Sequence, residues 1–435
     1  MRISRRGLIA VLLISGLRAT VAVGFDTTAV LGEALYRDEN LSLNRNQSCD
    51  SCHQIAVPDR AGSELPPVSA FVDPRNHDAE SPVSPGSVPG QVGLLTAPSA
   101  KYAAFSPAFH WDPTEGLYVG GQFWNGRAAG LAEQAALPPV NPREMALPSH
   151  WAVVSRLKEN PEYVRAFRVL YSVDLDRVPA RELAPAEVSA PAGVEPAYVA
   201  MTQAIAAFER EPAFAPFTSK FDFYLAGVVE LRADEARGLE LWNDAERSKC
   251  GECHPATPVQ VPDGSERPAL FTDFTYDNLG VPANAAIDGP PDLGLSGRAE
   301  IAATDPAGLQ RGKQKVMSVR NIALTAPYMH NGVFTTLEQV VHFYNTRDGL
   351  GRVCRDSRDP GFGVDCWPPP EVAENVNTEE LGDLKLSDED ERALVAFMRT
   401  LTDGYPDWGG DSRVPPGTAA PLVGARAGGP EVATE

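Results

Sequence analysis

Two short stretches of the sequence place a pair of cysteines directly before a histidine. They read CDSCH at residues 49–53 and CGECH at residues 250–254, so the residues concerned are Cys49, Cys52, His53, Cys250, Cys253 and His254. Two thiols spaced in this way attach a haem through thioether bonds, and the histidine that follows them ligates the iron. A redox dithiol, or a zinc site made of four cysteines, would leave both histidines without a role. The sequence therefore predicts two covalently bound haem c groups.

The beginning of the chain has the composition of an export signal. Arg2, Arg5 and Arg6 precede the apolar run 7–17, and small residues follow at 22–24. The run is too short to cross a bilayer, and this order of regions is typical of a cleaved signal peptide. We therefore predict that residues 1–24 direct the chain to the periplasm and that no membrane span remains after their removal.

The remaining cysteines, Cys354 and Cys366, stand twelve residues apart in a loop rich in glycine and proline. Disulfides form and persist in exported proteins, because the compartment is oxidising. We therefore expect these two residues to form a disulfide that holds the loop.

The chain is acidic, with a formal net charge of −20 at pH 7. A protein of this charge is not expected to bind nucleic acid or anionic membranes, since both are negatively charged themselves. The same charge can attract a basic redox partner. The length of 435 residues leaves room for two domains of ordinary size.

Helical periodicity dominates the sequence. Apolar spacing predicts helices over 28–36, 150–157, 161–171 and 198–209. The segment LGEALY at 31–36 is similar to RGLELW at 237–242, and each precedes one of the two haem motifs. This repeat favours a mainly α fold of two cytochrome c-like domains, 25–228 and 229–404, each with one covalent haem. Residues 405–435 are rich in proline, glycine and alanine, and we predict that they are disordered.

A helix that begins with the capping-box residues 335–338 has a buried face and a polar face. Its apolar side chains are spaced so that Tyr344 shares the buried face, whereas His342 points away from it. A side chain in this region could ligate the second iron on the side opposite His254. The candidates by residue type are Met329, His330, His342 and Tyr344.

Three longer segments carry a resemblance to a known family. They read QFWNGR at 122–127, NPREM at 141–145 and LTAPYMHNG at 324–332. Together with the haem motifs they resemble the bacterial dihaem cytochrome c peroxidases, in the branch that includes MauG. The resemblance extends from residue 31 to residue 402. It implies a peroxidase-type oxidoreductase whose N-terminal haem reacts with hydrogen peroxide.

The resemblance also implies roles for residues around the N-terminal haem. It places Trp124 between the two haem groups. Gln134, Pro138 and Glu144 stand ten, fourteen and twenty residues after this tryptophan, and the resemblance implies that they lie on the open face of the N-terminal haem. A carboxylate in a partly dry pocket can take a proton from one peroxide oxygen and return it to the other. A glutamine can hold the peroxide by hydrogen bonds.

The resemblance narrows the choice of ligand for the second iron. It implies a methionine in the ordinary peroxidases and a tyrosine in the MauG-like branch, and this position falls on Tyr344, fourteen residues after His330. Methionine raises the potential of haem iron, whereas an anionic tyrosinate favours the higher oxidation states. We therefore expect Tyr344 as the sixth ligand, with Met329 as the alternative.

Three functions are compatible with these residues. The first is a MauG-like enzyme that uses hydrogen peroxide to oxidise tryptophan residues of a partner protein. The second is a cytochrome c peroxidase that reduces hydrogen peroxide with electrons from a small cytochrome or cupredoxin. The third is a dihaem electron carrier without enzymatic activity. Tyr344 favours the first, and the pair Gln134 and Glu144 argues against the third, since a carrier has no use for acid–base groups over an open haem.

The resemblance further implies a calcium ion between the haem groups. The carbonyl oxygens of Thr325 and Pro327 are the expected ligands, and such oxygens suit this hard cation. Thr96 stands where the family has an asparagine ligand. It is therefore the expected third protein ligand.

Overall fold

The computed structural model describes residues 25–58, 65–77, 81–261 and 264–421. The predicted signal peptide lies outside these ranges. The described chain is mainly helical, as predicted, and none of its helices is long and apolar enough to cross a membrane. In chain order, helices α1 to α13 span Thr28–Tyr36, Cys49–Cys52, Leu131–Ala135, His150–Leu157, Pro161–Tyr171, Val194–Phe208, Lys220–Leu225, Ala233–Trp242, Cys250–Cys253, Ala299–Thr304, Leu337–Thr346, Asp388–Arg399 and Tyr405–Trp408.

The strands of the described chain are short and occur in pairs. Strands β1 to β8 span His110–Asp112, Leu117–Val119, Val259–Gln260, Glu266–Arg267, Tyr276–Asp277, Gln314–Lys315, Arg352–Val353 and Cys366–Trp367. The pairs β1–β2, β3–β4 and β5–β6 are antiparallel, and β7–β8 is parallel. Because each pair has two or three residues per strand, the strands fix loops rather than build a sheet.

Two large hydrophobic cores divide the chain. The first contains buried residues from Leu31 to Phe214 and is formed around the contacts of α6 with α1 and α4. The second contains buried residues from Phe221 to Leu401 and is formed around the contacts of α12 with α8 and α11. The change from one core to the other therefore falls between Phe214 and Phe221, somewhat before the predicted boundary at residue 228.

Each core is built on a similar pair of crossing helices. Helix α1 packs on α6 in the first half, and α8 packs on α12 in the second. A Cβ atom added to Gly32 of α1 would overlap the carbonyl group of Ala204. One added to Gly238 of α8 would overlap the carbonyl group of Ala393. The short sequence repeat before the haem motifs therefore preserves a glycine where two helix backbones touch.

A buried ion pair lies where the two halves meet. Arg320 donates hydrogen bonds of 3.0 and 2.8 Å to the carboxylate of Asp222, and both side chains are buried. The Arg320 guanidinium also lies over the ring of Tyr102, 5.0 Å from its centroid. The Tyr102 hydroxyl donates to Asp403 at 2.9 Å. Tyr102 belongs to the first half and the others to the C-terminal core region, so this cluster joins the halves.

The start of the C-terminal tail is folded. Residues 405–408 form α13, and Tyr405 and Val414 are buried beside Phe223. The Trp408 indole N–H donates to the Asp403 carbonyl at 2.7 Å. The prediction of disorder from residue 405 is therefore wrong up to residue 414, because two aromatic side chains supply packing that the Pro/Gly/Ala composition hides. Residues 422–435 lie outside the described residues.

Cys354 and Cys366 form a disulfide in the structure, with Cα atoms 5.2 Å apart. Trp367, which follows the second cysteine, packs on Phe343 with ring centroids 5.2 Å apart. Phe343 is the neighbour of Tyr344 in α11. The disulfide loop therefore supports the helix that carries the expected iron ligand.

Candidate active site

The first haem motif borders a cavity in the N-terminal half. Cys49 and Cys52 begin and end α2, and His53 follows this helix. All three side chains line a cavity of about 540 Å³. The second motif has the same form. Helix α9 spans Cys250–Cys253, and the motif lines a second cavity of about 210 Å³.

The two motif histidines are held in a similar way. Tyr36, at the end of α1, donates its hydroxyl to the His53 carbonyl at 3.0 Å. Trp242, at the end of α8, donates its indole N–H to the His254 carbonyl at 2.8 Å. His254 Nδ1 lies 2.8 Å from the carbonyl oxygen of Phe271, which leaves Nε2 for a metal. Burial lowers the pKa of both histidines, and this favours the neutral imidazole that binds iron.

Gln134, Pro138 and Glu144 all line the first cavity, beside the first haem motif. Gln134 lies in the short helix α3, and Pro138 begins a 3-10 turn. Asn141 Nδ2 donates to Glu144 Oε1 at 2.7 Å. Burial raises the pKa of Glu144, and the charge of Arg127 and the Asn141 hydrogen bond partly offset this. The carboxyl group is therefore oriented by a fixed contact, and its pKa is shifted upwards by burial, the direction that favours proton transfer.

Asn141 and Arg127 received no role from the sequence. The Arg127 guanidinium lies 3.5 Å from the ring centroid of Phe123 and lines the first cavity. Burial lowers the pKa of Arg127, and the charges of Glu144 and Asp292 oppose this. Both residues lie inside segments that carry the family resemblance, so these segments could have marked them as candidate site residues. The Asn141 hydrogen bond to Glu144 and the nearness of the Arg127 charge depend on the path of the loop, which residue spacing does not reveal.

Tyr344, Met329 and His330 line the second cavity together with the second haem motif. His330 Nε2 lies 2.8 Å from a Glu371 carboxylate oxygen, so this histidine already has a partner. His342 is paired elsewhere, with a glutamate 3.1 Å from its Nδ1. Burial raises the pKa of Tyr344, so the phenol becomes an anion only when a nearby cation compensates its charge. His342 does not line this cavity, and His330 could bind a metal only through Nδ1, so Tyr344 and Met329 stay the first two ligand candidates.

Trp124 lines both cavities. Its indole N–H donates to the Thr96 carbonyl at 2.9 Å. Its ring meets the His330 ring edge-on, with centroids 6.4 Å apart. Its own carbonyl accepts a hydrogen bond of 2.8 Å from the Lys315 N–H. These contacts hold the indole in the wall that the two cavities share.

Thr96, one of the residues expected to bind calcium, is next to Trp124. A Cβ atom added to Gly332 would lie 2.8 Å from Thr96 Cγ2 and 3.0 Å from Pro327 Cγ, so Thr96 and Pro327 are neighbours. Thr96 Oγ1 donates to the Met329 carbonyl at 2.9 Å, and the Thr96 carbonyl accepts from Trp124. Both oxygens of Thr96 therefore have partners within the protein. A calcium ion here would be bound by neutral oxygens, which hold it less tightly than carboxylates do.

Comparisons with known proteins identify the class of this arrangement. Residues 26–230 match a family model described as di-haem cytochrome c peroxidase. The fold is similar to that of the diheme peroxidase BthA from Burkholderia thailandensis, with a TM-score of 0.69 and 28% sequence identity over 91% of each chain. The protein is thus a mainly helical oxidoreductase of the dihaem peroxidase type.

Two relatives show the family to which the chain belongs. The methylamine utilization protein MauG of Paracoccus denitrificans is 37% identical over 387 residues, which are 87% of this chain and 89% of MauG. The cytochrome c551 peroxidase of Nitrosomonas europaea is 27% identical over 384 residues, with 87% and 81% of the two chains covered. The chain belongs to the family of dihaem cytochrome c peroxidases and MauG proteins. The predicted family and enzyme class are confirmed, and membership implies two haem c groups.

Proposed function

We propose that this chain is an exported, MauG-like enzyme of the periplasm. It activates hydrogen peroxide in the first cavity and uses both haem groups to oxidise tryptophan residues of a partner protein. One observation supports this above all: Gln134 and Glu144 line the cavity of the first haem motif, and Trp124 lines that cavity and the second. A protein that only carries electrons needs no acid–base pair in that place.

The two haem motifs fit covalent haem, one in each of two cytochrome c-like domains. Their four cysteines are free thiols that line the cavities, and their half-buried histidines line the same cavities. When bound, haem supplies an iron centre that binds peroxide and exchanges single electrons. The residues that would hold the two groups are Cys49, Cys52 and His53, and Cys250, Cys253 and His254.

Glu144 would move a proton between the two oxygens of a peroxide held in the first cavity. Burial raises its pKa, which makes it easier for the carboxylate to accept a proton before returning it. Asn141 occupies Oε1 at 2.7 Å, so Oε2 is the oxygen that is left for this transfer. Gln134 would hold the peroxide by hydrogen bonds. Pro138 has a rigid ring and no N–H group, so it limits the space beside them without competing for the proton.

Tyr344 separates this function from simple removal of peroxide. It lines the second cavity, where a tyrosinate ligand would favour the high oxidation states needed to oxidise a tryptophan. Met329 lines the same cavity. This favours a second candidate function, a peroxidase that reduces hydrogen peroxide to water with electrons from a small cytochrome or cupredoxin.

Spectra of the purified diferric protein, before and after stoichiometric hydrogen peroxide, test the proposal. We expect a tyrosinate signature at the second haem, an oxidised state that decays slowly, and poor turnover with cytochrome c as donor. A histidine–methionine signature would refute Tyr344 as the ligand and leave the peroxidase with Met329. A protein whose spectra do not respond to peroxide would refute both functions.

We further propose that a calcium ion is bound between the haem groups by the carbonyls of Thr325 and Pro327 and by Thr96. Metal analysis of the protein before and after dialysis against a calcium chelator tests this. We expect calcium in the first sample and a changed haem spectrum in the second, since Thr96 accepts the hydrogen bond of Trp124. Background calcium in the first sample would contradict the proposal.

A further inference from the structure

Four aromatic residues form a continuous stack from the surface inwards. Trp111 and Tyr118 are partners in the hairpin β1–β2, and Trp111 is 47% exposed. Their rings meet edge-on, with centroids 4.9 Å apart. Tyr118 stacks on Phe109 at 5.1 Å, and Phe109 meets Tyr276 at 5.9 Å. We call Trp111, Tyr118, Phe109 and Tyr276 the aromatic ladder.

The inner end of the aromatic ladder packs on the loop that carries Trp124. A Cβ atom added to Gly126 would overlap both the Tyr276 hydroxyl and the Phe109 ring. Gly126 has a φ of 67°, and it is two residues from Trp124. The glycine therefore permits both rings to touch the loop backbone. The strand partner of Tyr276 is Lys315, whose N–H donates to the Trp124 carbonyl.

The ladder ends at an exposed indole. Of the tryptophans in the described part of the chain, Trp111 is the most exposed. Tyrosine and tryptophan are the side chains that lose an electron most readily, and stacked rings shorten each electron step. Since Trp124 lines both cavities, a stack that runs from its loop to solvent connects the oxidising centre with the surface.

We propose that the aromatic ladder carries electrons from the surface to the wall between the two cavities, with Trp111 as its outer end. This rests on the proposed function, because hydrogen peroxide supplies the oxidising power. A partner protein at this face would give up the electrons through Trp111. Without a partner, Trp111 itself is oxidised.

The reaction without a partner balances as follows. Trp111 and one water molecule together lose two electrons, one at a time, and release two protons to solvent, and the oxygen of that water stays on Trp111. Hydrogen peroxide gains two electrons and two protons and becomes two water molecules. In each of the two steps Tyr118 gives an electron inwards and is then reduced again by an electron from Trp111. Its half-buried position lets its hydroxyl proton leave to solvent and return.

Arg298 supports this direction of transfer. Its guanidinium lies 4.0 Å from the Phe109 ring centroid and donates to the Gly126 carbonyl at 2.8 Å. The contact fixes the inner end of the ladder to the Trp124 loop. Its positive charge also disfavours a positive charge on the inner rings, so the oxidised site moves outwards to Trp111.

Peptide mass spectrometry after peroxide treatment tests the proposal. Stoichiometric hydrogen peroxide is added in portions to the dihaem protein without an electron donor. We expect an added oxygen on Trp111 and none on Trp408, whose ring packs on Tyr405 away from the ladder. In Tyr118→Leu the ladder is interrupted while Trp111 stays exposed, so we expect loss of the modification with unchanged haem spectra. Tyr118→Phe keeps the stacking and serves if the leucine variant does not fold. We expect the same loss, because phenylalanine is not oxidised, and an electron can cross the single ring of Phe109 but would then have to cross two such rings in one step.

The outcomes distinguish failure of the aromatic ladder from failure of the proposed function. Equal modification of Trp111 in the wild type and in both variants would mean direct attack by peroxide from solution, and would overturn the ladder. An unmodified Trp111 in a protein whose haem spectra respond to peroxide would also overturn it and leave the proposed function intact. Haem spectra that do not respond to peroxide would refute the proposed function and, with it, electron transfer through the aromatic ladder.

Discussion

On the proposed function, the hydrogen bond from Asn141 to Glu144 sets the pH range in which peroxide reacts in the first cavity. Asn141→Ser removes the donor that lies 2.7 Å from Oε1, while the serine hydroxyl can still accept from the Arg143 N–H that Asn141 binds. A hydrogen bond to a charged group contributes about 1.5 to 3 kcal/mol, and one pKa unit corresponds to about 1.4 kcal/mol. The bond stabilises the carboxylate, so its loss raises the pKa of Glu144 further.

The assay is the rate at which peroxide changes the haem spectrum after rapid mixing, measured as a function of pH. Glu144 must be ionised to accept the first proton, so the acidic limb of the profile moves to higher pH by about 1 to 2 units in Asn141→Ser. Glu144→Gln should remove the limb and lower the rate by about 10² to 10⁴. Asn46→Ser, which loses contacts with Ser87 on a nearby loop, is the control and should leave the limb in place. A limb that stays in Asn141→Ser, or moves to lower pH, would refute the reasoning.

Three substitutions outside the first cavity test other contacts of the structure. Tyr344→Met should give a methionine-type spectrum at the second haem and faster turnover with a small redox protein; unchanged spectra would show that the tyrosine is not a ligand. Asp222→Ala leaves the buried Arg320 without its partner and should lower the free energy of unfolding by about 3 to 5 kcal/mol in denaturant titrations, and a loss under 1 kcal/mol would contradict this. The hydrogen bond with Glu391 raises the pKa of His342 above that of the unfolded chain. Its stabilising effect is therefore complete below about pH 6.5 and is lost as the pH rises through the folded pKa, so melting curves of His342→Gln should lack this loss.

Local signals in the sequence predicted the helices well. The helices expected over 28–36, 150–157 and 161–171 coincide with α1, α4 and α5, because apolar period and cap residues act within a few residues. The strands and α13 had no such signal. Each strand pair has only two or three residues per strand, and α13 is held by contacts with residues far away in sequence, such as Phe223.

The residues of the candidate site were also predictable only in part from the sequence. Spacing and resemblance named Gln134 and Glu144, and the structure places both in one cavity. The contact of Asn141 with Glu144 depends on a loop conformation that spacing does not fix. The choice between Tyr344 and Met329 depends on which side chain reaches the iron, and both line the cavity.

The two halves share one helical frame around their haem motifs but differ in the side chains that line their cavities. In each, a helix with a contact glycine ends in an aromatic residue, Tyr36 or Trp242, that donates to the carbonyl of the motif histidine. The frame therefore cannot account for different roles of the two haem groups. The first cavity is the larger, at about 540 against 210 Å³, and contains the amide and carboxyl groups of Gln134 and Glu144. The second is lined by Tyr344 and Met329, which can ligate iron, and its carboxylate Glu371 is paired with His330. We therefore propose peroxide chemistry in the first half, where Gln134 and Glu144 lie, and electron storage in the second, where Tyr344 and Met329 lie.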